Sequence, residues 1–118
     1  PDDDTSRPAL MEDDTVGELK LRASGGQTLY ASVAIPTSYK ATHATVYGSD
    51  NTNTYVVYEM NVNSASVSSL ATAVAVGTEM DFGSNDVTSD GTNYITIGVT
   101  VGASSDYIYG ATVTIVAI

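Results

Sequence analysis

The clearest strand pattern in the chain is Asn93-Tyr94-Ile95-Thr96-Ile97-Gly98-Val99-Thr100-Val101. Branched apolar residues occupy every second position from Ile95 to Val101, and small or polar residues lie between them. Side chains alternate between the two faces of a β-strand, so a period of two predicts a strand with one face toward a core. The Val and Ile content favours the same structure.

The alternation recurs on both sides of this strand. Residues 107–118 alternate in the same way, and the linker 102–106 is of hairpin length, which predicts that the two strands pair. In 64–76 some apolar residues have helical spacing, but strand and loop are favoured. Further strands are predicted at 18–22, 28–35, 43–47, 55–62 and 78–82, and a polar loop at 83–91.

These patterns together predict an all-β protein. About eight short strands, separated by turn signals and without βαβ spacing, are typical of an antiparallel β-sandwich, and we expect a jelly-roll-like one. A chain of 118 residues is of single-domain size. We therefore expect a β-sandwich domain at 16–118, with one core.

Residues 1–15 have a different composition and are expected to form an acidic, extended N-terminal arm. The segment has no hydrophobic periodicity, and the only cation among its acids is Arg7. Such a segment is either disordered or laid over a partner. The candidate docking residues of this arm are Asp2, Asp3, Asp4, Arg7, Leu10 and Met11.

The composition excludes several kinds of chemistry. The chain has no cysteine, so it has no thiolate nucleophile. With one histidine, His43, and no cysteine, it also lacks the nitrogen and sulfur ligands of a zinc site. Four Lys and Arg against fourteen Asp and Glu argue against nucleic acid and against polybasic membrane attachment. No apolar run reaches the roughly 20 residues of a transmembrane helix. We expect no cofactor and no metal.

Carboxylates are the remaining candidates for chemistry. Glu59, Glu79 and Asp81 are flanked by apolar strand residues, but a glycosidase also needs a cleft, usually floored by aromatic rings, and the chain has no Trp. Calcium stays open as an alternative to simple turn formation. Its two candidate oxygen-rich loops contain Asp50, Asn51 and Asn53, and Asp81, Asn85, Asp86 and Asp90.

The eight tyrosines favour a contact function. A phenol has a flat apolar body and a polar tip, which suits both subunit interfaces and sugars. Some of them must lie in the core, since the chain has one Phe and no Trp. The interface candidates, each on a predicted strand face, are Tyr30, Tyr55, Tyr107 and Tyr109.

Several short runs resemble small β-rich virion proteins of tailed bacteriophages. These runs are Ala41-Thr42-His43-Ala44-Thr45-Val46-Tyr47-Gly48-Ser49, Val57-Tyr58-Glu59, Gly77-Thr78-Glu79-Met80-Asp81, Thr92-Asn93-Tyr94-Ile95 and Asp106-Tyr107-Ile108-Tyr109-Gly110. The likeness covers most of the chain after Gly25 and extends to the plan of capsid decoration (cement) proteins. It implies an arm laid across the major capsid protein, and trimer contacts made by the β domain.

The expected function is therefore that of a non-enzymatic capsid decoration protein, a homo-oligomer that stabilises the major capsid protein shell. It would be made in the host cytoplasm and reside in the virion. The alternative is a tail-fibre module that binds a receptor or carbohydrate through the loops at 50–53 and 83–91.

Overall fold

The computed structural model describes residues 9–12, 20–23 and 26–118, with side chains from Gly26 onward. Strands dominate this part of the chain, which confirms the all-β prediction. One 3-10 turn, Gly83–Asn85, interrupts them. The strands are β1 Ala9–Glu12, β2 Lys20–Ala23, β3 Gln27–Ala34, β4 Tyr39–Gly48, β5 Thr54–Asn61, β6 Ser64–Ser69, β7 Val74–Ala75, β8 Met80–Asp81, β9 Val87–Thr88, β10 Asn93–Val101 and β11 Tyr107–Ala117.

The strands form two antiparallel sheets, and the β-sandwich prediction is confirmed. Sheet A has the order β1-β2-β11-β4-β8, with β9 also paired to β4. Sheet B has the order β3-β10-β5-β6, with β7 also paired to β5. The jelly-roll-like connectivity stays a prediction.

The core lies between the two sheets. From sheet B, the alternate residues Ile95, Ile97, Val99 and Val101 of β10 are all buried, as their spacing predicts. From sheet A and its neighbouring loops come Val46, Met80, Phe82 and Val87. Burial of these apolar side chains is the main favourable contribution to folding.

The predicted hairpin between β10 and β11 is wrong. β10 belongs to sheet B and β11 to sheet A, so the linker between them crosses from one sheet to the other. The buried side chain of Asn53 holds this crossing. Its Oδ1 accepts from the Gly102 N–H at 2.9 Å, and its Nδ2 donates to Asp106 Oδ2 at 3.1 Å.

Within β11, the residues that point toward the core change from even-numbered to odd-numbered positions. Ile108 lies opposite Gly48 in β4, but Gly110 lies opposite Tyr47, so the register shifts by one residue at Tyr109. Such a bulge switches the residues that face inward from even to odd numbers. Ile108 is therefore buried in the core, while Ala111, Val113 and Ile115 face the space between the sheets.

Three short strands, β1, β6 and β7, lie where the sequence pattern is weak or mixed. The stretch 64–76 contains β6 and β7, so its preference for strand over helix is confirmed. β1 was not predicted; it pairs with β2 over four residues, with Leu10 opposite Arg22 and Met11 opposite Leu21. No helix in the described ranges is long and apolar enough to cross a membrane.

Candidate contact surface

The single histidine belongs to a polar cluster at the β4–β8 pairing. His43 Nδ1 lies 2.8 Å from Thr42 Oγ1, and His43 Nε2 lies 3.6 Å from Asp81 Oδ1. His43 and Asp81 are direct cross-strand neighbours, and Thr42 is buried. The arrangement therefore ties β8 to β4, and the hydroxyl beside the imidazole belongs to a buried threonine.

The three candidate carboxylates lie on different elements and do not form one cluster in the described part of the chain. Glu59 lies in β5 of sheet B and accepts a hydrogen bond from Asn93 Nδ2 at 3.0 Å. Asp81 lies in β8 of sheet A and also accepts from the Gly83 N–H at 2.8 Å, while Glu79 is exposed just before that strand. Within the described residues there is no group of three or more His, Asp or Glu side chains that could hold a metal ion.

Two loop aspartates form the same local motif. Asp50 Oδ1 accepts from the Thr52 N–H at 2.8 Å and from the Thr52 hydroxyl at 2.7 Å. Asp90 Oδ1 accepts from the Thr92 N–H at 2.8 Å, the Thr92 hydroxyl at 2.9 Å and the Asn93 N–H at 2.9 Å. These bonds to the charged form lower the pKa of Asp50 and of Asp90, led in each case by the threonine N–H. Both carboxylates thus shape their turns.

The four tyrosine interface candidates separate into different environments. The prediction for Tyr55 as an interface residue is wrong: its side chain is 1% exposed and fills the core. Its hydroxyl is within hydrogen-bond reach of the carbonyl oxygens of Ala44, at 3.0 Å, and Thr78. Burial raises the pKa of Tyr55. Tyr107 is half-buried, whereas Tyr30 and Tyr109 are exposed but lie in different sheets.

The outer side of sheet B forms a broad surface that we call the tyrosine face. Its side chains alternate with the buried residues of the same strands, and it carries no Asp, Glu, Lys or Arg. Tyr30, Tyr58 and Tyr94 surround a shallow depression of about 470 Å³. The other residues that line this depression are Ser32, Met60, Ala65, Val67 and Thr96.

Two contacts fix the tyrosine face. The ring of Tyr30 lies over Gly98 in the neighbouring strand, where an added Cβ would approach its Cε1 to 3.0 Å. Ser32 and Thr96, paired across the same two strands, share a hydrogen bond of 2.8 Å between their hydroxyls. The Tyr30 ring therefore rests on the neighbouring strand, and a ring already held in place loses less entropy on binding.

A second surface lies at one side of the sandwich, where 27–36 and 109–118 border a gap between the sheets. We call it the open side. β3 is the last strand of sheet B, and in the described chain β2 pairs with β11 only at Tyr107 and Ile108. Small residues such as Ala31 and Ala111 leave an apolar groove of about 460 Å³ there. It is also lined by Val33, Ile35, Ile97, Val113 and Ile115.

Most of the proposed arm lies outside the described residues. Asp2, Asp3, Asp4 and Arg7 lie outside the described residues. Leu10 and Met11 lie in β1, whose pairing with β2 attaches that part of the chain to sheet A. The docking role of this segment stays a prediction.

The sequence did not single out Tyr58 and Tyr94 as partners of Tyr30. Alternation places each of them on a strand face, but only the strand order β3-β10-β5 brings the three together. That order is a long-range property. Comparison of the chain with protein-family models, with curated proteins and with solved structures found no match.

Proposed function

We propose that this chain is a non-enzymatic structural protein that decorates a virion capsid and stabilises the shell of major capsid protein. The observation that carries the proposal is the tyrosine face, a broad and uncharged surface on paired strands of sheet B. The identity of the partner comes from the resemblance to phage virion proteins.

The chemistry of the tyrosine face suits contact with another protein. Tyrosine is enriched in protein interfaces, where its ring buries a large apolar area and its hydroxyl keeps a hydrogen bond. Tyr30 is 68% exposed and Val67 is 53% exposed, so much apolar area is available for burial. The face presents no charge that would have to be desolvated, which removes one of the main costs of association.

A capsid offers such a surface many identical sites. Each contact then needs only moderate affinity, because the stabilisation is repeated over every copy on the shell. A decoration protein should consequently be found on purified particles in hundreds of copies, as that role requires, whereas a fibre module would be present in a handful. Copy number per particle, measured by quantitative mass spectrometry, is the first test of the proposal.

The second test removes the rings. Double replacement of Tyr30 and Tyr94 by Ala should abolish co-sedimentation with capsids that lack the protein. Tyr47→Ala is the matched control, because Tyr47 is 48% exposed on β4 of the other sheet. Circular dichroism and urea unfolding verify that both variants fold. Full binding by the double variant would refute a contact through this face.

A second candidate function is carbohydrate binding at the same face. The observation that favours it is the clustering of Tyr30, Tyr58 and Tyr94 around the Ser32 and Thr96 hydroxyls. Aromatic rings can stack on the apolar faces of sugars, while hydroxyls exchange hydrogen bonds with them. Glycan-array binding that is lost in the Tyr30/Tyr94 variant, together with low copy number on particles, would favour this function over capsid decoration.

A further inference from the structure

We propose that the open side is the interface of a two-fold homodimer, in which β3 of one copy pairs antiparallel with β3 of a second copy. This inference does not depend on the proposed function. It rests on the exposed main chain of an edge strand, on the apolar groove beside that strand and on the distribution of charge over the described residues.

The edge itself lacks the features that normally prevent association. Natural edge strands are kept apart by charged side chains, by proline within the strand or by very short length. β3 is eight residues long, has no charged residue and is followed, not interrupted, by Pro36. Within the described chain, residues 28–34 of β3 pair along one edge with β10, and no described strand pairs with their other edge. This free edge is a template for a further strand.

Charge identifies a second copy as the partner that fits. The chain has a net charge of −10, so most approaches between two copies are repulsive. The open side is the exception, because neither 27–36 nor 107–118 contains Asp, Glu, Lys or Arg. Asp81 in β8 and Asp86 beside β9 lie beyond β4 from β11. The nearer acids of the described chain, Glu12 in β1 and Asp90 beside Gly91, lie outside these two segments, and Glu12 lies opposite Lys20. The two segments that would meet across the two-fold axis therefore bring no charged side chain of their own into contact.

The side chains of β3 are complementary to themselves under a two-fold axis. With Ala31 on the axis, every residue of 28–34 finds a partner facing the same side of the sheet. Tyr30 then lies opposite Ser32 of the second copy, and Leu29 lies opposite Val33. Large residues meet smaller ones, and an alanine, Ala31, occupies the centre.

The groove adds apolar area to the strand pairing. Val33 is 44% exposed and Ile115 is 38% exposed, and both face the gap between the sheets. In the dimer each groove would face its counterpart, so these side chains would join two sandwich cores. The segments 27–36 and 109–118 total twenty residues, within the roughly 20 to 30 per partner that a stable interface uses.

Single cysteines test the geometry cleanly, because the chain has none. Directly opposed residues of an antiparallel pair lie about 4.5–5.5 Å apart at Cα, within the range of a disulfide. Ala31→Cys should therefore form a covalent dimer on mild oxidation. Ala34→Cys is the matched control on the same strand and should stay uncrosslinked, since the two copies of residue 34 lie far from the axis. Equal crosslinking of both variants would overturn the proposed register.

The mass of the untreated protein tests the interface itself. Sedimentation equilibrium should give twice the 12.2 kDa of one chain. Val33→Lys places a charge on the edge and should halve that mass, while Val67→Lys on β6, at the opposite edge of sheet B, should leave it unchanged. Circular dichroism verifies folding of both variants. A monomeric wild-type protein, a dimeric Val33→Lys variant, or a trimer formed by pairing β3 with β11 of the next copy would each overturn the two-fold dimer.

Discussion

Two glycines at the bulge between β4 and β11 show how one atom can decide stability. A Cβ added to Gly48 would lie 2.6 Å from the Tyr107 carbonyl oxygen, a main-chain atom that cannot move aside alone. One added to Gly110 would have no neighbour within 4 Å. The close approach of the two strands thus requires glycine at Gly48 but not at Gly110.

We predict that Gly48→Ala lowers the free energy of unfolding by about 1–3 kcal/mol, as overpacking does elsewhere. Gly110→Ala, a change of the same chemistry in the strand opposite, should stay within about 0.5 kcal/mol of the wild type. Urea unfolding of the two variants measures the difference. Equal stability of the two variants would contradict the close approach at Gly48.

Asn53 is a buried polar residue whose hydrogen bonds contribute to the stability of the fold. It satisfies the Gly102 N–H and the Asp106 carboxylate at the crossing between the sheets. Asn53→Ala leaves both groups without this partner and should cost about 1–3 kcal/mol of unfolding free energy. Asn53→Asp keeps the size but sets a second carboxylate beside Asp106, so it should destabilise at neutral pH and recover in part on acidification. A pH-independent loss would contradict this arrangement.

The turns that hold Asp50 and Asp90 should make stability depend on pH. The pKa of each is lowered in the folded protein, so the unfolded chain takes up protons first as the pH falls. Stability from these groups is therefore complete above the unfolded pKa of about 3.9 and is lost as the pH falls through the folded value. The urea midpoint should stay level from about pH 7 to pH 5 and decline below about pH 4.

The matched variant for this pH dependence replaces both aspartates by asparagine. The amide oxygen can still accept from Thr52 and Thr92, but it does not titrate in this range. The double variant should therefore show a shallower decline below pH 4. An unchanged decline would mean that other carboxylates govern acid unfolding.

At the scale of elements, the sequence predicts a strand wherever alternation continues for many residues. β3, β5 and β10 combine period-two patterns with Val, Ile and Tyr, and each was predicted close to its observed bounds. β1 has four residues and no such pattern, and its pairing with β2 supplies what its own sequence does not. The periodicity of a segment reflects only whether that segment has one buried face. It therefore predicts poorly the strands that form because of their pairing with a neighbour.

The pairing of the strands, and the side of the sheet to which their side chains point, were harder to predict than the strands themselves. The five-residue linker after β10 suits both a hairpin and a crossing between sheets, and the long-range contact of Asn53 with Gly102 and Asp106 accompanies the crossing. The bulge at Tyr109 reverses the alternation within β11, which no local pattern announces. For the same reason the tyrosine face could be recognised only after the strand order was known.

The docking role of the N-terminal segment can be tested by a deletion that keeps β1. Because Ala9–Glu12 pairs with Lys20–Ala23, deletion of 1–8 tests the acidic docking residues while retaining β1. If the arm docks on the capsid, this deletion should abolish co-sedimentation with particles and leave the urea midpoint unchanged. Undiminished binding by the truncated protein would exclude a docking role for Asp2, Asp3, Asp4 and Arg7.

For the whole molecule, the two surfaces share one strand. β3 contributes Tyr30 and Ser32 to the tyrosine face, and it contributes Ala31 and Val33 to the groove of the open side. Extension of sheet B across the two-fold axis would place the tyrosine faces of both copies on the same side of one continuous sheet. The dimer would thus present two contact surfaces in one direction, suited to a partner that repeats its own sites.

This geometry predicts avidity that a single copy cannot reach. When one face of a dimer is bound, the second face samples neighbouring sites at a high effective concentration, which can raise affinity by about 10²–10⁴-fold. Val33→Lys leaves the tyrosine face intact but should weaken binding to capsids by at least about tenfold, whereas the Ala31→Cys disulfide dimer should bind as the wild type does. Titration of particles with the three proteins measures this. If the monomeric variant bound as tightly as the covalent dimer, each copy would act alone on the shell, and the alignment of the two faces would have no part in binding.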